Sequence, residues 1–159
     1  MNRRRHDFET QRDAMLAAAG TLDRKLGGPP AALSTPRRTL YTFVNRMDIP
    51  PVMTTFDFPS PSTSCPQRAH TTVAPQALYL MNNEFAADCA AAILRRRDVA
   101  ELNSTAARVD RLYTILFSRS ATTFDLQRAE EYLGTAPDEK TWQRYAHALL
   151  LANEFVFVD

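Results

Sequence analysis

The residues best suited to bind a charged ligand cluster in a Pro-rich stretch that runs from Ala31 to Ala74. They are the guanidinium groups of Arg37, Arg38, Arg46 and Arg68, the carboxylate of Asp57 and the hydroxyls of Thr71 and Thr72. Guanidinium groups bind sulfate and carboxylate groups through paired hydrogen bonds. One hypothesis is therefore a pocket for a sulfate, a carboxylate or a sugar acid. Its candidate ligand-binding residues are Arg37, Arg38, Asp57, Arg68 and Thr72.

The same residues also have a purely structural interpretation. A Pro-rich loop has few regular backbone hydrogen bonds, so its carbonyl groups need side-chain donors. In that case the arginines donate to loop carbonyls and pair with Asp48 and Asp57. The backbone needs of the loop favour this second interpretation. We therefore expect Arg68 to anchor the loop to the helix that starts near Pro75, without a catalytic role.

The chain has two cysteines, Cys65 and Cys89. They could form a disulfide, which secretion would favour. Alternatively, Cys89 lies on an apolar helical stripe with Phe85, where a free thiol packs as a small hydrophobic group. We expect no metal site, because such a site needs three or four convergent ligands. Only the loop residues Cys65 and His70, with Asp57 upstream, lie near one another in the sequence.

The sequence contains no motif that dictates a reaction or holds a cofactor. It lacks G-x-S-x-G and any Ser/His/Asp set at suggestive spacing, and it lacks the C-x-x-C-H motif of covalent haem attachment. The net charge is +1, so no bulk field draws the chain to nucleic acid. No apolar run is long enough to span a bilayer, and the basic N-terminal residues lack the apolar segment of a signal peptide. We predict no cofactor, no nucleic-acid partner and no membrane span.

The elements that must position these residues are mainly helical. The spacing of apolar residues predicts a first helix from Arg5 to Lys25, ended by two glycines and two prolines, with Gly20 as a position where it could split. The stretch from Ala31 to Ala74 is predicted to be irregular. Within it, Arg38 to Val44 has an alternating pattern that fits a short extended segment, with a helical turn as the alternative. The apolar residues that would hold the stretch on the helices are Leu40, Tyr41, Phe43, Val52, Met53, Phe56 and Phe58.

Capping signals predict the later helices. One begins near Pro75 and is interrupted at Asn82-Asn83, where Asn83 caps a new helix that closes at Arg95 to Arg97. Its inward stripe is predicted as Leu78, Met81, Phe85, Cys89 and Ala92. Further helices are expected from Asn103 to Ser118, from the Thr122–Asp125 capping box to Leu133, and from Asp138 to Asn153. Residues 1–159 are thus predicted to form a single, mainly α domain. It would have about five helices packed as one orthogonal bundle, with the long Pro-rich irregular segment wrapped on it.

Three blocks of sequence resemble a known family. They run from Arg12 to Pro30, from Arg37 to Asn82 and from Leu112 to Leu133, and the terminal sequence LLLANEFVFVD follows them. Together they resemble the C-terminal planctomycete secreted domain, a domain of unknown function. The resemblance implies a secreted or extracytoplasmic location at the C-terminus of a larger, cytochrome-like multidomain protein, with haem only in a separate domain. Ala69 departs from the family pattern, which often has a second arginine after the position of Arg68.

The family has no established catalytic residues, so the resemblance implies no reaction. We predict a non-catalytic accessory or interaction module that packs on neighbouring domains of its parent chain. The alternative is the half-site of an enzyme, or a pocket for an acidic or sulfated polysaccharide, completed by a neighbouring domain. The interface is expected to be the first helix with Tyr41, Phe43 and Phe56, through which an isolated chain could self-associate. The apolar strip from Phe155 to Val158 is expected to pack into the domain.

Overall fold

A computed structural model describes residues 4–158 and is mainly helical. The helices are α1 (Phe8–Ala18), α2 (Pro51–Thr55), α3 (Ala74–Asn82), α4 (Glu84–Arg95), α5 (Arg97–Ala100), α6 (Thr105–Phe117), α7 (Thr123–Leu133), α8 (Glu139–Leu150) and α9 (Asn153–Val156). Two short strands, β1 (Arg4–Arg5) and β2 (Phe157–Val158), pair antiparallel. The prediction of a mainly α chain is confirmed, whereas the orthogonal packing of the bundle stays a prediction.

The number of helices was predicted too low. Residues 4–158 contain nine α-helices instead of about five, and three of the nine, α2, α5 and α9, have only four or five residues each. Helices this short depend on tertiary contacts and carry little periodicity of their own. Each adds a buried side chain to the core, such as Met53 from α2 and Val99 from α5.

The capping signals placed the long helices well. Asn83 accepts a hydrogen bond from the Phe85 amide at the start of α4. Thr122 and Asp125 form both bonds of the capping box at the start of α7. Asp138 caps α8 through the Thr141 amide. These side chains satisfy amides that have no partner within the helix, which is why they mark helix starts reliably.

The first helix ends earlier than predicted. It stops at Ala18, because Gly20 adopts a positive φ of 73° and the Thr21 amide turns back to the Leu16 carbonyl. This is the usual way for a glycine to end a helix. The prediction of a helix that continues to Lys25 is therefore wrong, and Gly20 is its end.

The core is centred on α4 and α8, which pack against each other more extensively than any other pair of elements. Ala90 and Ile93 of α4 and Ala146 and Leu150 of α8 are fully buried. Alanines on both helices let the two backbones come close, so the larger side chains fill the space on either side. The remaining helices are arranged around this pair.

Between α1 and α3, residues 19–73 contain only α2 and a 3-10 helix, Thr39–Tyr41. The 3-10 helix corresponds to the helical turn considered as the alternative for Arg38 to Val44, and Thr42 directly after it is extended and forms a single β-bridge with Ala31. Met53 and Phe56 bury their side chains in the core. Phe56 is only 1% exposed, so the prediction that it belongs to an exposed interface is wrong.

A second correction concerns the outward face of α3. Leu78 and Met81 were predicted to face inward with Phe85 and Cys89, but both are exposed. Gln76 and Leu80 are buried instead. The cause is the break at Asn83, whose extended backbone separates α3 from α4, so that the helical period does not continue across it.

The C-terminal strip packs into the domain as predicted for Phe155 and Val156, which are both buried. The Val156 carbonyl accepts a hydrogen bond from the His6 amide at 2.9 Å, and β2 continues this pairing along β1. Val158 is exposed. The two ends of the described chain therefore hold each other in place.

Candidate functional site

The candidate ligand-binding residues do not form one pocket. The Arg37 guanidinium lies over the Tyr41 ring, 4.5 Å from its centroid, and donates to the carbonyls of Lys25 (3.1 Å) and Gly27 (2.6 Å). These contacts stabilise the turn between α1 and the 3-10 helix. Arg37 therefore belongs to a different cluster from Asp57 and Arg68 and acts as a structural tie.

Arg68 is at the centre of the second cluster. Its Nη1 donates to both carboxylate oxygens of Glu9, each at 3.0 Å. Its other nitrogens donate to the carbonyls of Asp57 (2.9 Å) and Phe56 (3.2 Å). Arg68 thus joins the segment after α2 to the first turn of α1. The anchoring role was predicted, but its attachment point is α1 and the end of α2 instead of the start of α3.

Asp57 has the most varied contacts in this cluster. It adopts a left-handed backbone conformation with φ of 61°, which aspartate tolerates better than most residues. Its carboxylate accepts hydrogen bonds from the amide (2.9 Å) and hydroxyl (2.8 Å) of Thr71 and from Arg5 (3.2 Å). Burial alone would raise the pKa of Asp57, but the Thr71 hydrogen bonds and the Arg5 charge outweigh it and hold the pKa below its usual value. Asp57 is therefore a fully engaged acceptor.

Sequence reasoning missed two members of this cluster, Arg5 and Gln76, which are both buried. Arg5 donates to the Thr71 carbonyl and stacks over Phe56. Gln76 donates to the Thr55 carbonyl and accepts from the Val73 amide, which closes the first turn of α3. Arg5 lies at the edge of a predicted helix and Gln76 follows a proline. Neither position signals burial from sequence alone.

Arg38 and Arg68 both line a groove of about 790 Å³ along the outer side of α1. We call this hollow the α1 groove. Its apolar lining includes Leu22, Val44, Met53 and Phe58, with Leu40 at its rim. Its charged lining consists of Asp7, Glu9, Asp13, Arg38 and Arg68.

Most of the charged groups of the α1 groove have partners within the domain. Glu9 holds Arg68, and the Asp13 carboxylate accepts hydrogen bonds from the Thr39 amide (2.8 Å) and hydroxyl (2.6 Å). Arg38 lies 3.8 Å from Asp13 and is half-exposed. Glu9, Arg68 and Asp13 are thus engaged within the domain, whereas Arg38 makes only this one long contact among residues 4–158. The groove therefore combines an apolar lining with charged groups that largely neutralise one another.

Thr72 lies elsewhere, on a smaller hollow of about 370 Å³. We call it the α3 cleft. It is bounded by α3 on one side and by the end of α8, α9 and β2 on the other, and most of its lining is apolar. Arg5 and Gln76 reach its edge, but their polar atoms bond within the domain. The five candidate residues are therefore divided among three places.

The two cysteines are free thiols: Cys65 is exposed and Cys89 is buried. Burial raises the pKa of the Cys89 thiol to about 11, so it packs as a neutral apolar group. Within residues 4–158, no group of three or more His, Cys, Asp or Glu side chains is arranged to hold a metal ion. In the same residues, no helix is both long and apolar enough to cross a bilayer.

Replacing Arg68 with alanine should lower the free energy of unfolding by about 2 kcal/mol, because two carbonyls and a carboxylate lose their donor. The matched control is Arg46→Ala, since Arg46 is exposed and has no hydrogen bond or ion pair among the contacts of residues 4–158. Urea unfolding of the two variants measures the difference. If Arg68→Ala instead unfolds like the wild type and loses binding to a sulfated disaccharide, Arg68 is a ligand-binding residue.

The fold and the site define a helical domain in which buried and half-buried arginines fasten a Pro-rich segment to α1 and so shape two hollows. The chain belongs to the PSD1 family, described as a protein of unknown function (DUF1553), whose sequence model matches residues 1–133. The match ends at the last residue of α7, so α8 and α9 lie beyond it. No curated protein and no solved structure matches the chain.

Proposed function

We propose that this chain is a non-catalytic accessory module of a longer, secreted, cytochrome-linked protein and docks on a neighbouring domain through the α1 groove. Any haem would belong to another domain of that protein. The secreted location and the cytochrome context rest on the resemblance of the sequence blocks. The docking role rests on the chemistry of the groove.

The observation that carries the proposal is that exposed apolar side chains lie beside the α1 groove, whose charged groups mostly have partners within the domain. Leu40 lines the groove and is 73% exposed. Phe43 does not line the groove but lies between two residues that do, and it is 62% exposed. On α1, Ala14 and Ala17 line the groove with side chains small enough to let another backbone come close. Exposed apolar surface beside a large hollow is typical of a protein–protein interface.

A pocket for an acidic or sulfated polysaccharide has less support. Three carboxylates and two arginines line the α1 groove, so its formal charge does not attract a polyanion. Arg37, which a four-arginine site would need, is bound to the loop around Gly27. The half-site of an enzyme has less support as well, because the Asp57 carboxylate is bonded to Thr71 and Arg5 and Asp57 lines neither the α1 groove nor the α3 cleft.

The proposal predicts that Leu40→Asp and Phe43→Asp weaken docking. Together they should lower the affinity for the separately produced remainder of the longer protein by about 100-fold, since each places a charge in a desolvated apolar contact. Isothermal titration calorimetry measures this change. The matched control is Phe124→Asp on α7, because Phe124 is exposed to nearly the same extent, 66%.

Both residues of the test pair are exposed, so neither variant should lower the free energy of unfolding by more than about 0.5 kcal/mol. A double variant that binds as tightly as the wild type would contradict docking through the α1 groove. An equal loss of affinity in Phe124→Asp would also contradict it, because any added surface charge would then weaken binding regardless of its position.

A further inference from the structure

A second surface, on α3, has a composition that the docking proposal does not use. Between Arg68 and Glu84 the sequence has no Asp, Glu, Lys or Arg, although 23% of the whole chain is charged. This uncharged stretch contains all of α3. A surface helix of a globular protein normally carries charged residues on its outer side, so the composition of α3 requires an explanation.

The helix α3 has two apolar faces. Its inner face buries Leu80 and Gln76. Its outer face is made of Ala74, Ala77, Leu78 and Met81, which have the spacing i, i+3, i+4 and i+7 of one helical stripe. Leu78 is 54% exposed and Met81 is 59% exposed. An exposed apolar stripe of this kind is typical of a surface that another molecule covers.

The α3 cleft lies directly beside this stripe. Ala77 and Met81 line it from α3, and Ala148, Leu151, Val156 and Phe157 line it from the C-terminal elements. The alanines on its two sides leave room for a side chain from outside. The Arg5 and Gln76 side chains that reach the cleft bond within the domain, so the apolar part of the lining is its main contact surface.

We propose that the occupant is a second copy of this chain, bound so that the two α3 helices pack antiparallel around a two-fold axis near Leu78. In such an interface each residue of the patch meets the same patch on the other copy, so a charged patch would place like charges face to face. The uncharged stripe avoids this cost. Met81 of each copy enters the α3 cleft of the other, and the flexible methionine side chain can adapt to that space.

The absence of charged residues on α3 also favours a second copy over a lipid surface as the occupant. A helix that binds anionic membranes carries lysine or arginine beside its apolar face, whereas the stretch between Arg68 and Glu84 carries neither. The α3 cleft and the α1 groove share no lining residue. Dimerisation through α3 therefore leaves the α1 groove open and does not depend on the function proposed for it.

Sedimentation velocity of the purified chain over a range of about 1 to 300 µM tests the proposal, because a dimer of moderate affinity dissociates within that range. The wild type is expected to shift from monomer to dimer. Leu78→Glu and Met81→Glu are each expected to weaken the dimer at least about tenfold, since the first places two like charges near the axis and the second places a charge in the mostly apolar α3 cleft. Phe124→Glu, on α7, is the control and should dimerise like the wild type.

Cross-linking tests the geometry. In a Cys65→Ser background, Leu78→Cys should form an intermolecular disulfide under mild oxidation, because residue 78 of each copy lies near the axis. Phe124→Cys in the same background should not. A wild type that stays monomeric over the whole range would overturn the proposal. So would a dimer that survives both charge variants, or one that Phe43→Asp dissociates, which would place the second copy on the α1 groove.

Discussion

Deletion of residues 153–159 is expected to lower the free energy of unfolding by at least about 4 kcal/mol, a large part of the stability of a domain of this size. The deletion removes Phe155 and Val156 from the core, where both are buried. It also removes the partner strand of β1 and the carboxylate of Glu154 that holds Arg119. The loss of the buried phenylalanine accounts for most of the effect, because removal of a buried phenylalanine side chain typically costs about 3–5 kcal/mol.

Differential scanning calorimetry of the truncated and full chains measures this effect as a fall in the melting temperature. Val158→Ser is the matched control, because Val158 lies in the same strip but is exposed, and it should change the stability by less than about 0.5 kcal/mol. An unchanged melting temperature after the deletion would show that the strip does not belong to the core.

The second large effect is expected from Arg12→Met. Arg12 is buried and its guanidinium donates to the carbonyls of Leu33 (2.6 Å), Thr35 (2.5 Å) and Arg37 (2.9 Å). Burial lowers the pKa of Arg12, while the nearby Asp13 opposes that change. Methionine has a similar length but no donor, so three carbonyls lose their partner under the Pro-rich segment. We expect a loss of about 3–5 kcal/mol.

Urea unfolding of Arg12→Met measures the loss, and limited proteolysis should show new cleavage between residues 31 and 44. Arg24→Met is the control, because Arg24 is exposed and has no hydrogen bond or ion pair among the contacts of residues 4–158. Arg12→Lys should be nearly as unstable as Arg12→Met, because a single ammonium group cannot reach all three carbonyls that the planar guanidinium group contacts. If Arg12→Met keeps wild-type stability, the segment is held by its apolar residues alone.

The sequence predicted those parts of the fold that depend on interactions between residues close together in the chain. A cap such as Asn83 or the Thr122–Asp125 pair works through amides two or three residues away, so it is visible without knowledge of the tertiary structure. The role of the loop arginines as donors to carbonyls was predicted for the same kind of reason. A Pro-rich segment must find its hydrogen bonds outside regular structure.

The parts that were mispredicted or missed depend on contacts between distant residues. Nothing near Arg5 in the sequence indicates that it will meet Thr71 and Asp57, so its burial could not be predicted. The inward face of α3 was misassigned because one helical period was continued across Asn83. The division of the five candidate residues among three clusters has the same origin. The path of the Pro-rich segment over α1 decides which side chains meet, and that path leaves no local signal.

The central proposal is that the α1 groove docks against another part of a longer protein. Amide hydrogen exchange of residues 40–47, compared between the isolated chain and the longer protein, tests this claim most directly. These residues include Leu40 and Phe43, which are exposed in the structure. Exchange at their amides is expected to slow at least about tenfold in the longer protein, because docking excludes water from the groove and its rim. Equal exchange rates in the two forms would contradict the proposed interface.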